Sequence, residues 1–111
     1  MSSSLAKSVA LVNDTPFKSR VQAAMTELAL EVAAGDPNGP ANPVLRALRQ
    51  TLAMAVLADT AARLDPFLRL VANDNTISGA ADAAAVTDAQ IRAVVGGMWE
   101  AVAVAVPNLR T

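Results

Sequence analysis

Glu27 and Glu31 stand one helical turn apart, Arg46 and Arg49 three residues apart with Arg63 further along, and serines occupy positions 2 to 4. Each group names a chemistry. Two carboxylates a turn apart on a helix would grip a divalent cation, provided further ligands complete the shell. The chain has no histidine and no cysteine, and no other carboxylate is spaced to help, so the expected role of Glu27 and Glu31 is a solvated helix face. The serines lack a histidine base, and Lys7 and Lys18 lack an evident desolvating context, so nucleophilic catalysis has no support. GDPNGP, residues 35–40, contains glycines but neither the lysine nor the spacing of a phosphate-binding loop. No catalytic residue, metal site or cofactor is expected, and the chain reads as a non-enzyme.

Arg46, Arg49 and Arg63 are the candidates for gripping nucleic-acid phosphate. Such binding needs a concentrated positive face. Nine basic and ten acidic residues leave a formal charge of −1, and the basic ones are dispersed along the chain. The commoner role of an arginine pair at i and i+3 is an exposed helix face among acids. Nucleic acid is therefore not the expected partner, and a helical DNA-binding or regulatory module stands as the rival reading from a different class.

At 111 residues the chain has room for one domain, since domains commonly run about 100–150 residues. Its hydrophobic fraction is 53% while aromatics make up 3% and tyrosine is absent, so alanine, valine and leucine supply the apolar content. Alanine is the best helix former, which favours an all-α bundle over a sandwich or barrel. MSSSLAKSVALV has one cation ahead of a very short apolar patch and does not match a secretory signal. No apolar run reaches the roughly 18 residues of a membrane span, because Glu100 interrupts the last candidate. A soluble chain without a membrane partner is expected.

The spacing predicts four to five helices joined by Pro-, Gly- and Asn-containing turns. Residues 1–13 read as an N-terminal arm or short helix with Leu5, Val9 and Val12 on one stripe, and residues 14–111 as a single helical domain. Asp14-Thr15-Pro16 pairs a capping side chain with a first-turn proline and opens a helix whose inner stripe is Phe17, Val21, Ala24, Met25, Leu28 and Val32. Gly35 ends it. Asn42-Pro43 repeats the signal and starts a helix predicted to run to Leu64, with Leu45, Leu48, Leu52 and Val56 inward. Val44, Met54 and Leu57 widen that stripe, which predicts burial on more than one side. Asp65-Pro66 then predicts a break before a short helix carrying Phe67, Leu68 and Val71, and residues 73–86 show the weakest local preference, either a surface loop or a segment reaching a neighbour.

Thr87 and Gln90 fit a capping box that opens the last helix, on which Ile91, Val94, Val95, Met98, Trp99, Val102 and Val106 share a broad face. Gly96 and Gly97 sit mid-helix, where each glycine costs roughly 1 kcal/mol relative to alanine. That cost implies close approach of something: another helix of this chain, a neighbouring subunit, or nucleic acid. Trp99 reads first as core, and alternatively as a contact between chains. Leu5, Val9, Gly96, Gly97 and Trp99 are thus the interface candidates.

Three stretches, in order, resemble a family of small virion-associated proteins of tailed bacteriophages. They are NDTPFKSRVQAAMTELALEVAAGD, then RQTLAMAVLAD with FLRLVANDNTI, then VTDAQIRAVVGGMW, together spanning roughly residues 13–106. The first is similar to the family's Asp-x-x-Phe-x-x-Arg-Val opening and the third to its closing Thr/Ser-Asp-Ala-x-Ile…Trp helix. Gly96-Gly97 and Glu100 depart from the pattern, which has bulkier or polar residues and an amide there. The family has no catalytic motif, so the resemblance implies a structural component of the virion, assembled in the bacterial cytoplasm. Its expected partners are copies of itself and portal, capsid or tail proteins, either in the head or head–tail connector or as a minor protein bound to the capsid shell.

Overall fold

In the computed structural model the described residues are 4–35, 39–80 and 82–105, with side chains from Ala6 to Val104. They form six α-helices, a single 3-10 turn and no strand: α1 Ser4–Val12, α2 Thr15–Ala33, α3 Pro43–Ala58, α4 Thr60–Asn73, α5 Asn75–Ser78, the 3-10 turn Ala83–Ala85, and α6 Asp88–Ala105. The fold is all-α, as the composition predicts. α2 lies at its centre, packed against α3, α4 and α6.

Each start signal acts through one side chain. Asp14 accepts from the Phe17 amide at 2.8 Å, and Asn42 from the amides of Val44 and Leu45 at 2.8 and 3.2 Å. The capping box forms in both directions: the Thr87 amide donates to Gln90 Oε1 at 2.8 Å, and the Gln90 amide to Thr87 Oγ1 at 3.0 Å. Gly35 closes α2 with φ +91°, a left-handed conformation that side-chain-bearing residues adopt at a cost.

The boundary between α3 and α4 differs from the sequence expectation. The break falls at Asp59, and Pro66 runs inside α4. Asp59 Oδ1 accepts from the Ala62 amide at 3.1 Å and the Thr60 hydroxyl donates to the Val56 carbonyl at 2.8 Å, so both helix ends are satisfied six residues before the proline. Ending α3 there lets α4 turn back and place Phe67, Leu68, Val71 and Ala72 on the core that Leu52, Ala53 and Val56 also face. The cost is the proline's missing N–H, which removes the helix bond that would run to the Ala62 carbonyl.

Two stripe expectations also change. α3 is buried on one side only: Val44, Met54 and Leu57 face outward, with Val44 66% and Met54 57% exposed. On α1 the inward residues are Ser8 and Leu11, with Val12 half-buried, while Val9 is 50% exposed. A serine was hard to place inside from pattern alone. Its hydroxyl donates to the Ala72 carbonyl at 2.9 Å, which satisfies the buried group and fixes α1 on α4. The stretch set apart as an arm therefore contributes Leu11 to the common core.

The described residues of 74–86 fold back on their own chain rather than forming a bare surface loop. Asp74 and Asp82 cap α5 and the 3-10 turn, and Ile77 and Val86 are buried. Arg20 on α2 holds the far end, donating to the carbonyls of Ala83 (3.1 Å) and Val86 and to Asp88 at 2.8 Å. Arg20→Met keeps the apolar stem and removes these donors. Because two carbonyls lose a charged partner, it is expected to cost about 1.5–3 kcal/mol in a urea titration, and a loss under about 0.5 kcal/mol would mean that water replaces Arg20 freely.

Candidate interaction surface

Trp99 belongs to the core. It is 1% exposed, its ring centroid lies 5.4 Å from that of Phe67 at an interplanar angle of 43°, and its indole N–H points to the Arg49 carbonyl at 3.4 Å. This corrects its place among the interface candidates. A large flat side chain with one polar edge packs well where the ring meets apolar groups and the N–H reaches a carbonyl.

Gly96 and Gly97 give the opposite result. Both are exposed, a side chain at Gly97 would meet nothing within 4 Å, and one at Gly96 would make only an ordinary 3.9 Å contact with Leu28. Close packing by another described helix of the chain is therefore not their explanation, and nothing among the described residues requires them. Gly96→Ala and Gly97→Ala are each expected to raise stability by about 0.5–1 kcal/mol, since helix propensity improves without a clash. Thermal melts of the isolated chain measure this, and a loss of stability would reveal a steric requirement that the single chain does not display.

Of the remaining interface candidates, Val9 is open to solvent, and the Leu5 side chain lies outside the described residues, as does Val106. The outward α3 residues Val44, Met54 and Leu57, which the pattern placed on a second buried side of the helix, form an exposed apolar strip. The signal that could have separated them was their angular offset from the Leu52–Val56 face by more than a quarter-turn.

Of the charged candidates, Glu27, Glu31 and Arg49 are brought into ion pairs. Arg92 on α6 bridges to Glu27 at 2.6 Å and Glu31 at 2.5 Å on α2, so the two carboxylates meet a guanidinium. Among the described residues no group of three or more potential metal ligands occurs. Arg49 pairs with Glu100 at 3.5 Å with its side chain 14% exposed, Arg46 donates to the Pro40 carbonyl at 2.9 Å, and Arg63 has a buried Nε. Arg46 and Arg49 border a common cleft near Gly35, whereas Arg63 does not line it. The three do not present one open cationic face.

A separate cleft of about 250 Å³ lies between α1 and α5, with Lys7, Asp14 and Asp82 around an apolar floor of Leu11 and Ile77. It falls just below the roughly 300–1,000 Å³ of typical ligand sites. No helix among the described residues is long and apolar enough to cross a membrane. No protein-family model, curated protein or solved structure matches this chain.

Proposed function

We propose that this chain is a non-enzymatic structural protein of a tailed-phage virion, placed in the head or the head–tail connection and working by packing against copies of itself and other virion proteins. The observation that carries the reading is the outer strip of α3. Single exposed apolar residues such as Leu30, Leu70 and Val104 are ordinary on any surface. Three large ones on one helix face, with no charge between them on that face, are the kind of patch that marks contact with another protein. The resemblance to virion-associated proteins gives that contact a setting, and the scatter of Arg46, Arg49 and Arg63, with Arg49 held by Glu100 and Arg63 away from the cleft that the other two border, weighs against the nucleic-acid rival.

Two measurements test it. Light scattering of the purified chain across a concentration series, at moderate and high salt, is expected to show self-association that survives salt, because apolar contacts are not screened. Mass spectrometry of purified phage particles is expected to find the chain at a fixed copy number. A lone monomer absent from particles overturns the proposal, and a monomer present in particles identifies it as a protein that binds preformed capsid or portal.

A further inference from the structure

We infer that the outer strip of α3 pairs with the same strip of a second copy, antiparallel across a two-fold axis near Gln50 and Thr51. The inference rests on the reading that the chain assembles with itself, and adds where and in what orientation.

α3 packs on α2, α4 and α6 with its inner side, which leaves Val44, Ala47, Met54 and Leu57 on the outside. The strip is nearly without polar demand. Thr51 spends its hydroxyl on the Ala47 carbonyl at 2.9 Å, and Gln50 is the strip's remaining polar side chain. Burying it against a like surface therefore strands few polar groups and brings no like charges together at its centre.

The ends of the strip differ in charge. Arg46 stands near the N-terminal end and Asp59 closes the C-terminal end, both exposed. Antiparallel pairing sets the cationic end of one copy beside the anionic end of the other, whereas parallel pairing sets like ends together. Shape agrees with the same orientation. An axis between Gln50 and Thr51 puts residue 54 of one copy opposite residue 47 of its partner, so the long, adaptable Met54 fills the space that Ala47 leaves.

The size of the surface decides the strength. Sixteen residues of helix present a strip about 24 Å long and roughly 10 Å wide, well under the ~800 Å² per partner of a standard interface. The pair is therefore weak, and mass action must be pushed to see it.

The test is sedimentation equilibrium over a series from about 10 µM to 1 mM, a range suited to weak association. The parent chain, Met54→Glu and Val104→Glu are compared, the last carrying the same change on the exposed face of α6. Both sites are more than half exposed, so circular dichroism is expected to show parent-like folding in each. The parent is expected to dimerise, Met54→Glu to weaken association roughly tenfold or more, and Val104→Glu to leave it unchanged. Orientation is read by oxidative cross-linking, since the chain has no cysteine of its own. An equimolar mixture of Ala47→Cys and Met54→Cys chains is expected to link 47 to 54.

A parent that stays monomeric, an association indifferent to Met54→Glu, or links joining 47 to 47 each overturn the inference. If any of these occurs while the chain is still found in particles, the virion reading stands without this pairing. A chain that pairs as described but never enters particles does the reverse.

Discussion

Trp99→Ala is expected to remove about 3–5 kcal/mol of folding stability, the usual range for deleting a buried aromatic. Against a total of about 5–15 kcal/mol for a small domain, that is at least about a fifth of what holds the fold together. The size follows from three losses at one position. The indole's apolar surface is lost from the core, the tilted ring contact with Phe67 disappears, and the Arg49 carbonyl loses a donor. Since Trp99 is the chain's only tryptophan, unfolding has to be followed by circular dichroism in urea. Trp99→Phe restores much of the ring contact without the N–H and is expected to lie between parent and alanine variant. A Trp99→Ala chain that keeps parental stability yet loses self-association would return the tryptophan to the interface and contradict the burial argued above.

Ile77→Ala is expected to cost about 2–5 kcal/mol, although Ile77 lies in the segment with the weakest local preference in the chain. The side chain is 1% exposed and joins the same core as Leu11 and Phe67. Asn75→Ala, two residues away and exposed, is expected to stay within about 0.5 kcal/mol. The contrast isolates burial from any general sensitivity of α5. Equal, small effects at both positions would show that residues 74–86 open independently of the bundle, with a free energy well below global unfolding.

The legible part of this protein is the part written in short-range chemistry. Asp14, Asn42, Thr87 with Gln90, and Gly35 each act on backbone groups within a few residues, so their roles follow from local geometry and the structure shows each in place. The inner stripes of α2 and α6 were legible for a related reason. Helical periodicity puts Phe17, Val21 and Met25, or Ile91, Val95 and Trp99, on one side of a cylinder whatever the cylinder packs against. The absence of histidine and cysteine likewise removed whole classes of chemistry before any fold was known.

Which side of an apolar helix faces in, and which break between two candidates is used, depended on contacts remote in sequence. α3 carries enough leucine, valine and methionine for two inner faces, and the positions of α2, α4 and α6 decided that Leu52 and Val56 go inside while Val44 and Met54 stay out. Asp59 displaced Asp65-Pro66 as the turn because a cap there lets Phe67 and Val71 reach the shared core, a gain in buried area that outweighs one proline inside a helix. Ser8 and Ile77 became interior through a carbonyl on α4 and a core surface far along the chain. Gly96 and Gly97 mark the same division: their cost to the helix is readable from residue type, but only the arrangement of the helices shows that none of the described residues packs close enough to require them.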